Sequence, residues 1–296
     1  MIMEEWSTRW LRMQRIRPRT LESYESLLRL YILPALGTVE LTELSTDAIQ
    51  AAIAAPLAAG HGRTAEQVYT LMVQICRAAV RAGHIQVSPM DTILRPYHVP
   101  TPTAWWAPED AARFLRLRQL ALDPHLVVWT MALCCGLRRG ELCGLRWDDI
   151  DLRQCTIRVT RQRITLADGR TITAPPKSRS SVRTLAIPAD LAAWLADHRP
   201  AAGGYVAIAS STGRPITPSG LDQAWRRAVR ASGMPPITMH GCRHTCGAAA
   251  VRAGVAMRVL QSIMGHSTDA ITSQIYAHVD QCAQRTALDS ITELML

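Results

Sequence analysis

The stretch from Thr238 to Tyr276 concentrates side chains that together can hold a phosphate. His240 and Arg243 are three residues apart, so on a helix both point to the same side. His266 and the phenol of Tyr276 follow in the same stretch. If these segments fold back on each other, a guanidinium, imidazoles and a phenol converge on one place, and its natural occupant is a phosphate.

Three short helices are predicted to position these groups. Thr238 is a suitable N-cap for the first, which ends near Gly254, so His240 and Arg243 lie in the first turn, where free backbone N–H groups favour an anion. The second, RVLQSIM, ends at Gly265. A cap after it then starts a third helix, which carries the tyrosine.

Lys177 is the only lysine in the chain, and all other basic residues are arginine. Arginine is effectively never deprotonated, whereas a lysine can lose and regain a proton when neighbouring cations lower its pKa. Donation of a proton to a leaving oxygen is a task that needs this property. The alternative is that a single lysine remains by chance.

Arg138 lies in a glycine-flanked turn, within GLRRGEL, before a short helix that carries Glu141. This arginine could simply pair with an acid. Further along, the runs TIRVTRQRITL, TITA and VRTLAIP alternate with turns and predict a small antiparallel sheet. Lys177 falls in the turn between the last two.

The first part of the chain reads as a small helical bundle, with helices that start near Thr20, Ser45 and Thr64. The proline-containing segment 97–106 reads as a linker, and a helix begins at Pro108. Several arginines could follow a DNA backbone or be ordinary solvated charges: Arg15, Arg17, Arg19, Arg63, Arg77 and Arg81 in the bundle, and Arg179 near Lys177.

Composition excludes several classes of protein. The 296 residues are 48% apolar, enough for packed cores, and no transmembrane-length apolar run or signal peptide is visible. The eight cysteines lie mostly in apolar helical stretches, where reduced thiols act as small hydrophobic groups, so a cytoplasmic location is expected. Almost all of the net charge of +9 falls after Ala104, as expected for a second domain that grips a polyanion.

The ordered set of motifs resembles the tyrosine recombinase (phage integrase) family. The resemblance is carried by GLRRGEL, the lone lysine on a sheet turn, H-x-x-R-H opening a helix, G-H-S, and a tyrosine ten residues after that histidine. The bundle is similar to the family's core-binding domain, with T-x-x-x-Y at Thr20 and PxLG at Pro34. The resemblance implies a mainly α fold with a small antiparallel sheet (α+β), divided into a core-binding domain (1–96), a linker (97–106) and a catalytic domain (107–296).

The resemblance also implies roles for individual residues in site-specific DNA recombination. Tyr276 would attack a DNA phosphodiester and form a 3′-phosphotyrosine, and Arg138 and Arg243 would contact the non-bridging oxygens. A second group would assist: Lys177 would protonate the 5′ leaving oxygen, His240 would act as acid or base, His266 would donate to the phosphate, and Glu141 would support the others. No metal or other cofactor is required.

The family further implies double-stranded DNA recombination sites as partners, a tetramer on DNA in which the C-terminal helix docks in trans, and a directionality factor where the direction is controlled. The location is then cytoplasmic, at the nucleoid. Whether the task is integration, excision or dimer resolution stays open. Packing of the last helix on its own domain is the alternative to docking in trans.

Three rival interpretations remain. A zinc site could use His240, His244, His266, Cys242 and Cys246, but their spacing does not match a usual four-ligand site. A DNA-binding regulator could retain the fold without catalysis. A type IB topoisomerase would share the arginine, lysine, histidine and tyrosine chemistry, although the small helical first domain and G-H-S argue against it.

Overall fold

A computed structural model describes residues 1–99, 102–176 and 181–265 of the chain. The chain forms two compact units. The first comprises Met1–Pro102 with Leu166–Asp168, and the second comprises Thr103–Thr165 and the described residues from Gly169 onward. None of the helices in these ranges combines the length and the apolar character needed to cross a bilayer.

The first unit is a bundle of α-helices. Its members are α1 (Met3–Met13), α2 (Pro18–Leu27), α3 (Leu33–Leu36), α4 (Thr46–Ala58) and α5 (Gly62–Arg81), with a π-helical turn at Leu28–Ile32 and short 3₁₀ turns at Leu41–Glu43 and Pro89–Thr92. The amphipathic α5 packs on α4, and their apolar faces supply much of the core.

Three helix starts in this unit differ from the sequence prediction, among them that of α5, which begins at Gly62 and not at Thr64. Helix α1 was not predicted, yet Met3, Trp6 and Trp10 form its buried stripe, and the Trp6 Nε1 donates to the Ile75 carbonyl oxygen at 3.1 Å. Helix α2 begins at Pro18 and not after Thr20, because proline already has the φ of a first helical residue. The Ser45 cap was correct, since its side chain accepts from the Ala48 N–H.

The second unit surrounds short strands with helices. The helices are α6 (Pro108–Leu120), α7 (Leu126–Cys134), α8 (Arg139–Gly144), α9 (Ala189–Asp197), α10 (Pro218–Ala231), α11 (Met239–Arg252) and α12 (Met257–Met264), with a 3₁₀ turn at Trp147–Asp149. Pro108 opens α6 as its first residue, as predicted. The predicted mainly helical fold with antiparallel strands is confirmed.

The strands form two small antiparallel sheets in place of the single sheet expected. They are β1 (Ile150–Asp151), β2 (Thr156–Val159), β3 (Gln162–Thr165), β4 (Thr171–Ala174) and β5 (Arg183–Ala186). The order β1-β2-β5 makes one sheet, in which Val159 pairs with Arg183, and the β3-β4 hairpin makes the other.

An aromatic cluster holds the start of α11 in place. Trp106, Phe114, Trp129 and Trp225 are almost fully buried, and their ring centroids lie 4.9–5.5 Å apart. The Trp225 Nε1 donates to the Ile237 carbonyl oxygen (2.7 Å), immediately before α11. Because large aromatic side chains dominate the packing of this core, the cluster anchors the segment that leads into α11.

Candidate active site

Arg138 precedes α8 as its N-cap residue and is bound to Glu141 twice. Its backbone N–H donates to Glu141 Oε2 (3.0 Å), and its Nη1 donates to Glu141 Oε1 (2.8 Å). The same nitrogen lies 3.4 Å from the Ser181 hydroxyl, and Nη2 donates to the Gly265 carbonyl oxygen (2.9 Å). The Arg138 side chain retains 34% of its exposure, so it is accessible to a ligand.

Arg243 is the fifth residue of α11, just beyond the first turn in which it was predicted, and is only 2% exposed. Its Nη1 donates to the Gly136 carbonyl oxygen (2.7 Å), and its Nη2 donates to the carbonyl oxygen of Met264. Gly136 has a positive φ of 60°, and a Cβ there would come within 3.2 Å of the side chains of Met264 and Cys246. Glycine is therefore required where the chain turns to present this carbonyl.

Arg183 completes the cluster and was missed in the sequence analysis. Its Nη1 and Nη2 donate to Glu141 Oε1 (3.1 Å) and Oε2 (3.0 Å), and its Nε donates to the Ile263 carbonyl oxygen (2.8 Å). One feature of the sequence could have indicated that the side chain of Arg183 is buried. Arg183 is two residues before the buried Leu185, so both side chains face the same side of β5.

The last turn of α12 gathers all three arginines. The carbonyl oxygens of Ile263, Met264 and Gly265 are consecutive acceptors, and each receives a guanidinium N–H from a different arginine. These carbonyls have no partners inside the helix, and positive charge is favourable at a helix C-terminus. The arginines thereby fix the backbone that leads directly to His266.

Glu141 is the carboxylate that balances this cluster. Its side chain is 2% exposed, and burial alone would raise its pKa. The hydrogen bonds and charges of Arg183 and Arg138 outweigh burial and hold the pKa of Glu141 below its ordinary value. One carboxylate thus faces three guanidinium groups among the described residues, and the positive excess is suited to an anion.

His240 lies beside this cluster on α11, and its ring meets the edge of His244 at a centroid distance of 4.7 Å. Partial burial is the main effect that lowers the pKa of His240. The charges of His244, Arg243 and Arg138 lower it further, to about 4. The imidazole is therefore neutral near pH 7.

The cysteines of α11 face backbone carbonyls. Cys242 Sγ lies 3.6 Å from the Thr238 carbonyl oxygen, and Cys246 Sγ lies 3.4 Å from that of Cys134. Burial raises the pKa of both thiols, to about 12 for Cys246, whereas metal ligation needs thiolates. Within 1–99, 102–176 and 181–265, His, Cys, Asp and Glu form no group of three or more that could hold a metal ion.

The structure brings together Arg138, Glu141, His240 and Arg243 from the predicted site. Lys177, Arg179, His266 and Tyr276 lie outside the described residues. The remaining candidates for DNA contact lie in the first unit and are exposed: Arg15, Arg17, Arg19, Arg63, Arg77 and Arg81. Arg77 and Arg81 are four residues apart on α5 and so share one of its faces.

Two family models match the chain. The model of the phage integrase family covers residues 116–282, and that of the phage integrase N-terminal SAM-like domain covers residues 2–55. A relative from Caldanaerobacter subterraneus, described as "Tyrosine recombinase XerC-like", is 31% identical over 60% of this chain, which spans 51% of that relative. The tyrosine recombinase XerC of a Mycobacterium species is 30% identical, over 84% of this chain and 83% of its own.

Solved structures share the fold. The Tn1549 transposon integrase in complex with transposon right end DNA superposes with a TM-score of 0.83 at 21% identity, over 99% of this chain and 100% of its own. A lambda integrase dimer bound to a core site gives a TM-score of 0.70 at 18% identity, over 93% and 95% of the two chains.

The fold and these matches define a tyrosine-type site-specific recombinase, an enzyme that breaks and rejoins DNA. The chain belongs to the phage integrase family.

Proposed function

We propose that this recombinase cuts one DNA strand at a time through a 3′-phosphotyrosine on Tyr276 and then rejoins it. The observation that supports the proposal is the cluster of three arginines around a single carboxylate. The excess positive charge of this largely buried cluster is balanced by the negative charge of a bound phosphodiester. That negative charge increases as the phosphorus is attacked. Tyr276 displaces the 5′-oxygen, and the covalent intermediate conserves the bond energy for rejoining.

Arg138 and Arg243 contact the non-bridging oxygens in this proposal. A guanidinium has five N–H donors, and the bonds of Arg138 to Glu141, Ser181 and Gly265 use three. Its Nε–H and one N–H on Nη2 have no partner within the described ranges, so they suit a phosphate. The burial of Arg243 keeps its charge poorly screened by water, which strengthens its attraction for the same anion.

The proton transfers are assigned to the remaining groups. His240 assists as acid or base near the attacking phenol and the phosphate. Lys177 protonates the departing 5′-oxygen, and His266 donates a hydrogen bond to the phosphate. The arginines provide the charge stabilisation, so the proposed reaction uses no metal or other cofactor.

The proposed partners are double-stranded recombination sites and further copies of this chain. A lambda integrase structure of the same fold is a tetramer bound to a Holliday junction. We propose four protomers on paired sites, the C-terminal helix docking in trans, and a directionality factor where the direction is controlled. The exposed arginines of the first unit, together with Arg179, would contact DNA phosphates. The core-binding domain would end at residue 96, and the catalytic domain would begin at residue 107. The substrate implies a cytoplasmic protein at the nucleoid.

A trapping experiment tests this function. DNA from the flanks of the gene is incubated with the wild-type protein and with Tyr276→Phe, denatured in SDS, and examined for protein attached to DNA. An adduct with the wild type alone supports the proposal, and its position maps the site. An adduct in both proteins assigns the nucleophile to another residue. Tight binding without any adduct, even on nicked trapping substrates, favours a regulator.

A further inference from the structure

Arg183 is an almost fully enclosed arginine that joins three segments of the second unit. Its side chain is 6% exposed, and four of its five N–H donors have described acceptors. Two of these bonds meet Glu141, one meets the Ile263 carbonyl at the end of α12, and one meets the Ser181 carbonyl before β5 (3.1 Å). Arg183 therefore has little capacity left to bind DNA itself.

Arg183 and Arg138 bind the carboxylate of Glu141 at the same time. Oε1 accepts from the Nη1 atoms of both arginines, and Oε2 accepts from Arg183 Nη2 and the Arg138 backbone N–H. Arg138 thus contacts the carboxylate through only one side-chain nitrogen. Its other nitrogens are left to the Gly265 carbonyl and to a ligand.

We propose that Arg183 is a positioning residue for DNA strand cleavage, which holds Glu141 so that Arg138 faces the scissile phosphate. The inference rests on the proposed function. Without Arg183, both carboxylate oxygens become available to Arg138, and the planar guanidinium favours a bidentate pair with them. Arg138 would then turn its donors to Glu141 and away from the phosphate. The end of α12, directly before His266, would lose one of its three arginine contacts at the same time.

The charge around Glu141 gives this role a measurable signature. The charged groups that face Glu141 within the described ranges are Arg183 from β5, Arg138 from the position before α8, and Arg243 from α11. Arg183 contributes the largest of the effects that lower the pKa of Glu141, so its removal raises that pKa. Protonated Glu141 would hold Arg138 less tightly, so in a protein without Arg183 the captured Arg138 would be released to the phosphate and part of the cleavage would return as the pH falls through the raised pKa.

The test measures single-turnover cleavage of a nicked trapping substrate and, separately, non-covalent binding to the uncut site. For Arg183→Gln we expect cleavage to slow about 100-fold, because displacement of a catalytic group by about 1 Å can cost that much, while binding changes much less. Arg183→Lys keeps the charge but cannot bridge two oxygens, so it should be slowed as well. The matched control is Arg158→Gln. Arg158 is an exposed arginine on the neighbouring strand β2, where it pairs with Thr184 of β5.

The pH profile separates positioning from a general structural role. We expect the cleavage defect of Arg183→Gln relative to the wild type to become smaller as the pH falls, and this pH dependence to disappear in the Glu141→Gln/Arg183→Gln double variant. If Arg183→Gln does not fold, as judged by its thermal transition, the slowed cleavage of Arg183→Lys carries the test.

Other results of these measurements would contradict the proposed role of Arg183. Wild-type cleavage by Arg183→Lys, or equal losses of binding and cleavage in Arg183→Gln, would overturn the proposal. An adduct from the wild type with no effect of Arg183→Gln overturns this inference alone. A wild-type protein that forms no adduct on the mapped substrate overturns the proposed function together with it.

Discussion

Arg138 donates from Nη2 to the carbonyl oxygen of Gly265 at 2.9 Å, although the two residues are 127 positions apart in the chain. This bond ties the start of α8 to the residue that precedes His266. Arg243 and Arg183 bind the two preceding carbonyls in the same way. The end of α12 is therefore part of the site, and displacement of any one arginine affects the backbone that leads to His266.

Glu141→Gln should lower the free energy of unfolding by about 3–5 kcal/mol, because it leaves buried arginines without their counter-charge. Glu109→Gln is the matched control. It breaks an Arg252–Glu109 pair of 2.6 Å in the same unit, with side chains that are 67% and 65% exposed, and should cost much less because solvent screens an exposed pair. Urea unfolding of both variants measures the difference. Equal losses would show that burial of the Glu141 pair has no energetic consequence.

Because His240 is held neutral by the fold, the protein should become less stable as the pH falls. Its folded pKa of about 4 lies below the value of about 6.5 for an unfolded histidine, so the unfolded state binds the extra proton first. Stability is then full above the unfolded pKa and decreases as the pH falls from about 6.5 toward the folded pKa. His240→Asn should flatten the slope of unfolding free energy against pH between roughly 7 and 5.

The lowered pKa of His244 leaves part of that slope in the single variant, and His240→Asn/His244→Asn should remove more of it. An unchanged slope in His240→Asn would mean that His240 is not held neutral by the fold. Fluorescence-monitored urea titrations at several pH values are sufficient for the comparison.

Lys177→Arg should slow strand cleavage by about 10²–10⁴-fold, the usual contribution of a general acid, because a guanidinium is a poor proton donor. A substrate with sulfur at the 5′-bridging position should restore much of the rate, since a thiolate leaves without protonation. Single-turnover cleavage of the two substrates gives the ratio. Near-normal cleavage of the oxygen substrate by Lys177→Arg would refute the general-acid assignment.

Removal of the residues after Val279 should weaken assembly on paired sites more than binding to a single site, if the C-terminal helix docks on another protomer. Native gels with one-site and two-site DNA compare the two affinities on the same protein. Equal losses would indicate that this segment completes its own domain. Tyr276 is retained in the truncated chain, so its adduct formation reports whether the active site is intact.

Local signals allowed several elements to be predicted from the sequence. The Thr238 hydroxyl accepts from the Gly241 N–H (3.0 Å), as its position before α11 indicated. Gly265 adopts the left-handed conformation predicted for the end of α12. These features depend on residues within one turn, so neighbouring residue types are sufficient to identify them. Helix α1 was missed because Ile2, which precedes it, provides no side-chain cap, and its aromatic stripe was the remaining signal.

Features that depend on distant segments could not be predicted in the same way. Strands β2 and β5 pair across the β3-β4 hairpin, so one expected sheet became two. Arg183 resembled a surface arginine on a strand, because its partner Glu141 lies 42 positions earlier. Apart from its spacing from Leu185, it is burial that distinguishes this arginine from the exposed Arg158 on the adjacent strand.

The sequence by itself determined the family and the order of the candidate groups, because these are properties of residue types and their spacing along the chain. The placement of Arg138, Arg183 and Arg243 around one carboxylate and three consecutive carbonyls was decided only by the tertiary structure. Hydrogen bonds and charge interactions depend on distance through space, and the fold brings these groups together from separate segments.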